Sequence, residues 1–315
     1  MKNNFLKAAL VGLAALLLPE LGSTAPHLLL RNQSAGQPAD LVYQGNNAPI
    51  MTGNVNVYFI YWMPKTLQDG TPLDATTNNY LVFMKQSIND ILTGNGLSGI
   101  AAQYYQTIKG KNTYVSNKLF IEGARTDLTS FPTTGCPESS LSSVNCVEDS
   151  DIQAEIQKLV VEKKWNLNNT IFLVYTPNGE DVCDNNGNCT TTGNAFCGYH
   201  NAVPASGNTP ALVYSVMPYT GANGCGTGTY PQNKPDWEAV VNTTTAEIFG
   251  MLTNPMLNAW LTPDGREIGD VCQGVVVNAD ATWDNGMANH QWNGHYYSLQ
   301  PLYDNHLHAC ADIGY

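Results

Sequence analysis

The sequence predicts an α/β (α+β) protein, a mixed sheet covered by helices with a β-hairpin-rich C-terminal part. Three observations predict it. The elements read in the order strand, helix, helix, strand, strand, helix, then short strands. Thr170–Tyr175 (TIFLVY) is a continuous apolar run, the pattern of a central strand buried on both faces. After Val275, Asn285-Gly286 and Asn293-Gly294 break up short β-prone runs, and Asn-Gly is among the strongest local hairpin signals.

Residues 1–25 have the three-part layout of a secretory signal peptide. Lys2 and Lys7 are basic, Ala8–Leu18 is uncharged and apolar, and Ser23-Thr24-Ala25 offers small residues for cleavage. The apolar run is shorter than the ~20 residues a membrane-spanning helix needs. Residues 26–47, rich in Gln, Asn and Gly, read as an irregular lead-in. Residues 48–315 read as one domain, because no Pro-rich or low-complexity linker divides them.

Val55–Trp62 is the first strand, β-branched and aromatic, bounded by Gly53-Asn54 and Met63-Pro64. Leu81, Phe83, Met84, Ile88, Ile91 and Leu92 form a helical stripe over Asn78–Leu92. Ile100–Ile108 reads as a second short helix. Residues 126–149 read as a disulfide-tied loop, and Asp151–Trp165 as a helix. After the Thr170–Tyr175 strand comes an Asn-, Gly- and Cys-rich loop over 177–194, and then a strand over Ala211–Tyr219. Asp236 is placed to cap the next helix, which runs to about Leu252 and is stopped by Pro255.

The formal net charge is −12 and only 13% of residues are charged. Phosphate binding needs clustered Lys and Arg, so this balance argues against nucleic acid and against anionic membrane surfaces. Cys136, Cys146, Cys183, Cys189, Cys197, Cys225, Cys272 and Cys310 make an even set without a Cys-x-x-Cys pair, which predicts disulfides in an oxidising compartment. Eight cysteines allow 105 pairings, about which spacing is not decisive. Proximity favours 136–146, 183–189, 197–225 and 272–310. Asn-x-Ser/Thr sequons start at Asn32, Asn168, Asn188 and Asn242, and mark positions for glycan.

The helix after Trp237 and its sequel carry the chemistry. They read Ala246-Glu247-Ile-Phe-Gly250-Met-Leu-Thr253-Asn254-Pro255, then Asn258-Ala259-Trp260, then Glu267-Ile-Gly-Asp270-Val-Cys272. Together with Phe196-Cys197-Gly198-Tyr199-His200, these blocks resemble the phosphate-induced-protein, or EXORDIUM-like, family of secreted proteins. The resemblance extends from about Ala48 to Cys310. It implies a zincin-like layout, with His-Glu-x-x-Glu on the helix. A His and a Glu at i and i+4 share one helical face and can hold one zinc, while the middle Glu takes a proton from metal-bound water. Here Ala246 and Gly250 occupy the outer positions and cannot coordinate metal. Glu247 remains as a vestigial base.

Zinc on atypical ligands would have to use His200, Glu267 and Asp270 beside Glu247. The expected cofactor content is none, with zinc as the minor alternative. The other reading of Ala246 and Gly250 is a small-residue face against which another element packs. His306-x-His308 and Cys197-x-x-His200 have ligand-like spacing, but a bridged cysteine cannot ligate metal. Trp283 and Trp292, beside turn signals, are the rings placed to stack on a glycan. The resulting expectation is a non-catalytic extracellular protein of the apoplast or cell wall, whose partner is an extracellular protein or wall glycan. A zincin-like metal-dependent hydrolase and a carbohydrate-binding protein are the alternatives.

Overall fold

The computed structural model describes residues 25–31, 39–74, 76–94, 96–136, 145–191, 195–221, 224–275 and 287–314. The expected signal segment up to residue 24, the Asn32 sequon, Trp283 and the Asn285-Gly286 turn lie outside them.

The elements in chain order are β1 (His27–Leu30), β2 (Val42–Tyr43), β3 (Asn54–Trp62), α1 (Thr77–Thr93), α2 (Gly96–Ala101), β4 (Tyr105–Ile108), β5 (Lys111–Tyr114), β6 (Lys118–Asp127) and β7 (Cys146–Glu148). Next come α3 (Asp149–Lys163), β8 (Thr170–Tyr175), β9 (Asp181–Cys183), β10 (Phe196–Val203), β11 (Leu212–Met217) and α4 (Pro235–Thr253). The rest are β12 (Trp260–Leu261), a 3-10 turn at Asp270–Cys272, β13 (His290–Trp292), β14 (His295–Tyr297), β15 (Leu302–Asp304) and β16 (Ala309–Ala311).

Six strands form the main sheet in the order β1-β10-β11-β8-β3-β6. The pairs β3/β6, β3/β8 and β8/β11 are parallel, and β10 runs antiparallel to both β11 and β1. The sheet is therefore mixed, and helices cover both of its faces. Side chains alternate across a strand. Val57, Phe59 and Tyr61 of β3, with Ile171, Leu173 and Tyr175 of β8, enter the core shared with α1 and α4. Tyr58, Ile60, Trp62, Phe172 and Val174 point the other way, onto Ile152, Ile156 and Leu159 of α3. β8 is buried along its whole length, as its unbroken apolar run requires.

Three expectations are corrected. The stretch 26–47 is not wholly irregular, because His27–Leu30 pairs with β10 as an edge strand and Val42–Tyr43 pairs with β12. The second helix ends at Ala101, and Tyr105–Ile108 is a strand paired with Lys111–Tyr114. Gly110, at φ +77°, closes that hairpin. Asp236 is not the cap of α4: the helix starts at Pro235, where the missing N–H costs nothing, and Glu238 instead accepts from the Gln232 and Lys234 amides.

Four disulfides join Cys136 to Cys146, Cys183 to Cys189, Cys197 to Cys225 and Cys272 to Cys310. These are the pairs that proximity favours. A disulfide-bonded fold suits an oxidising, extracellular setting. Among the described residues no helix is long and apolar enough to cross a membrane.

Candidate functional site: a buried histidine–carboxylate cluster

The site begins with the alternation of β10. In Phe196-Cys197-Gly198-Tyr199-His200, Tyr199 faces α3, where its hydroxyl donates to Asp149 at 2.7 Å. Gly198 and His200 face the other side of the sheet, and Cys197 is the extra residue of a β-bulge opposite Leu29 and Leu30. Cys197 bridges to Cys225 and packs with Leu29, Ala239 and Ala246. Gly198 permits close approach of α4: a Cβ there would stand 2.6 Å from Thr243 Cγ2 and 3.7 Å from Glu247 Cγ. That approach brings Glu247 to His200, whose Nδ1 lies 2.9 Å from Glu247 Oε2.

The antiparallel register places His27 of β1 directly opposite His200. Paired residues project to the same face, and the two imidazole centroids are 5.6 Å apart. Gln273 holds this edge strand in place by donating from Nε2 to Leu30 O at 2.6 Å.

The third wall is the segment 267–272 after β12. Glu267 and Asp270 sit in a tight turn, with the Glu267 amide donating to Asp270 Oδ2 at 2.8 Å. Asp270 Oδ2 is 2.5 Å from His27 Nε2, and Glu267 Oε2 is 3.9 Å from the same nitrogen. Glu267 Oε1 accepts from Asn254 Nδ2 at 2.5 Å and lies 3.3 Å from His200 Nε2. The Cys272–Cys310 bridge pins the end of the turn.

Ala246 and Gly250 are the small-residue face on which that turn rests. A Cβ on Gly250 would meet Glu267 Oε2 at 2.5 Å and His200 Cε1 at 3.1 Å. A Cβ on Gly269 would meet that of Ala246 at 3.1 Å. The space that ligating side chains would need on α4 is filled by groups from β10 and the 267–272 turn.

The five side chains, His27, His200, Glu247, Glu267 and Asp270, thus come together. His200 is wholly buried, and Glu247, Glu267 and Asp270 are at most 5% exposed. His27, with 21% of its side chain exposed, is the edge nearest solvent. Among the described residues every ion pair of these carboxylates is with a histidine. Burial by itself would lower the pKa of His27, but the charges of Glu267 and Asp270 outweigh it and raise it to about 9. Burial likewise opposes protonation of His200, yet Glu267 and Glu247 hold its pKa well above the usual imidazole range. Burial raises Glu247 despite the His200 hydrogen bond. Asp270 resists the same upward push, because His27 and the Glu267 amide favour its ionised form, and its pKa is lowered.

The arrangement can do two things chemically. It can share protons between buried carboxylates and imidazoles, or it can hold a cation. His27, Glu267 and Asp270 each offer one donor atom, and these lie within 4.8 Å of one another. Glu247 is tied to His200 and is not poised beside any group on its own helix. Cys136, Cys146 and Cys183 also lie close together, but all three are bridged and offer no thiolate.

Of the other sequence candidates, His200, Glu247, Glu267 and Asp270 are brought together. His308 is exposed and hydrogen-bonds to Asp40 at 2.8 Å, and His306 is exposed in the same turn. Trp292 is half-buried: it stacks on His290 with centroids 4.5 Å apart and covers Gly94. Asn242 is 4% exposed within α4, where the folded chain leaves little room for a glycan. Its amide is used at both ends, donating to Cys225 O and accepting from the Gln300 amide. Asn168 is exposed, and Asn188 is half-buried with its amide on Asp184. His27 is the residue that sequence reasoning missed. Its only local signal was the run His27-Leu-Leu-Leu30 ahead of a polar segment.

No family model, no curated protein and no solved structure matches this chain. The EXORDIUM-like resemblance therefore rests on the motif residues quoted above.

Proposed function

We propose that this chain is a secreted, extracellular protein of the EXORDIUM-like type that acts by interaction at the cell surface or wall rather than by hydrolysis. One observation carries the reading. The α4 positions that a zincin-like hydrolase would use for metal are Ala246 and Gly250, and their space is taken by Glu267, His200 and the Gly269 turn. Glu247, the one remaining motif residue, is occupied by His200. The four disulfides suit the extracellular setting.

The test has two arms on protein secreted from a eukaryotic host. Peptide, ester and glycoside substrates are offered with and without added zinc, and the expected turnover equals that of the Glu247→Ala variant. Isolated cell-wall material and intact cells are offered in parallel, where saturable retention is expected. Turnover that disappears in Glu247→Ala overturns the reading.

A zincin-like hydrolase with atypical ligands is the second reading, favoured by the partial exposure of His27 at the margin of the cluster. The glycan-stacking reading has no comparable support, since Trp292 is engaged by His290.

A further inference from the structure

We propose that the cluster is a closed, four-ligand site for one divalent transition metal, zinc in the first instance, held by His27, His200, Glu267 and Asp270, with no ligand from α4.

The donor set is the first argument. Two imidazoles and two carboxylates suit zinc and its first-row neighbours, whereas magnesium and calcium prefer oxygen alone. Sites with four protein ligands are structural, while catalytic ones keep a position for water. A closed site therefore agrees with a chain that does not hydrolyse, yet does not depend on that reading.

The second argument is the His200 ring. Its Nδ1 lies 2.9 Å from Glu247 Oε2, which leaves Nε2 as the nitrogen that faces the cluster. Binding an ion releases the proton from Nε2 and turns its lone pair to the metal. Nε2 is fully buried and has no hydrogen-bond partner. It points toward Glu267, whose Oε1 is 3.3 Å away. A buried polar atom without a partner costs free energy, and a metal ion there removes the cost. Carboxylate–histidine–metal is the usual way a second carboxylate fixes the tautomer of a ligating imidazole. Glu247, inherited in the position of a general base, becomes here the positioning residue for His200.

The third argument is the placement of the other donors. His27 Nε2, a Glu267 oxygen and an Asp270 oxygen lie within 4.8 Å of one another. Tetrahedral ligands at the usual ~2.0–2.1 Å from zinc are about 3.3–3.5 Å apart, so the site forms when His27 shifts outward from Asp270 and His200 Nε2, now beside Glu267 Oε1 but outside that group of three, turns toward them. Asn254 and the Glu267 amide already hold the two carboxylates from behind.

The ligands come from the edge strand β1, from β10 and from the 267–272 turn. The ion would tie the amino-terminal strand of the described fold to the turn that rests on α4. The lost ligands of α4 are thus replaced from the sheet side, and Gly250 is what leaves room for them.

The test is metal analysis of the full secreted protein, with cobalt(II) substitution after chelator treatment. One equivalent of zinc per chain, and the intense visible bands of tetrahedral cobalt, are expected. His27→Ala and Asp270→Asn should each lower zinc affinity at least tenfold, and His308→Ala should leave it unchanged. Should the single variants misfold, the cobalt spectrum of the unmutated protein decides alone. Less than a tenth of an equivalent of any divalent metal after reconstitution, or full occupancy in His27→Ala, overturns the proposal. Metal without turnover leaves the interaction reading standing. No metal and no turnover refutes the site alone, and metal with turnover refutes the interaction reading alone.

Discussion

Gly250 shows how a single missing methyl decides what the site can be. An Ala in a helix interior is ordinarily about 1 kcal/mol better than Gly. Here the added Cβ would stand 2.5 Å from Glu267 Oε2 inside a packed interior, and overpacking of this kind costs about 1–3 kcal/mol. Gly250→Ala should therefore lower stability in urea unfolding in spite of its helix propensity. An unchanged or higher midpoint would show that Glu267 yields freely. His290 is governed by solvation instead. Burial, only partly offset by Asp312, lowers its pKa from 6.5 to about 4. The unfolded chain then binds a proton that the folded chain refuses, so stability falls as pH drops from 6.5 to 4, by about 3 kcal/mol. In His290→Asn the loss over that window should shrink. An equally steep acid limb in the variant would place the sensitivity elsewhere. At this scale the sequence was partly legible. Glu267, Asp270, His200 and Glu247 were marked by local motifs, and the small-residue reading of Ala246 and Gly250 agrees with the packing. His27 was not legible, because only the pairing of β1 with β10 gives it a partner, and nothing local encodes that register.

Among the elements, α4 and β10 set the geometry through Gly198. A methyl there would stand 2.6 Å from Thr243 Cγ2 and 3.0 Å from Val216 O. Gly198→Ala should push α4 off the sheet and destabilise by about 1–3 kcal/mol. Thr243→Ser, which removes Cγ2, should recover part of the loss in the double variant; strict additivity of the two changes would mean that they do not meet. The elements that the sequence identified have either an apolar stripe on one face, as α1 and α3 do, or a densely apolar run buried on all sides, as α4, β3, β8 and β11 do. β6 escaped it because Lys118–Asp127 is an edge strand, mostly exposed, and carries charges and a glycine. β4 read as helix because a short run with Ile and Tyr satisfies either period.

Across the whole molecule, covalent staples and the sheet share the work of closing the site. Cys197–Cys225 anchors the start of β10, and Cys272–Cys310 anchors the 267–272 turn across a separation of 38 residues. Replacing Cys272 and Cys310 by Ser should cost about 2–5 kcal/mol and loosen Glu267 and Asp270 together. Hydrogen exchange of the Val271 and Tyr303 amides, which bond to Glu267 O and Ile268 O, reads that loosening; unchanged protection would show that the turn holds without the bridge. The sequence could place Cys197, Cys272 and Cys310 inside the motif blocks, but the layering that sets β1 beside them is a property of the assembled sheet. The central claim is that ligands from β1, β10 and the turn replace those absent from α4. X-ray absorption at the zinc edge of the secreted protein tests it most directly. The account predicts four nitrogen or oxygen neighbours at about 2.0–2.1 Å, with imidazole scattering from two histidines and no sulfur. A sulfur shell, or a spectrum of hydrated zinc alone, would contradict it.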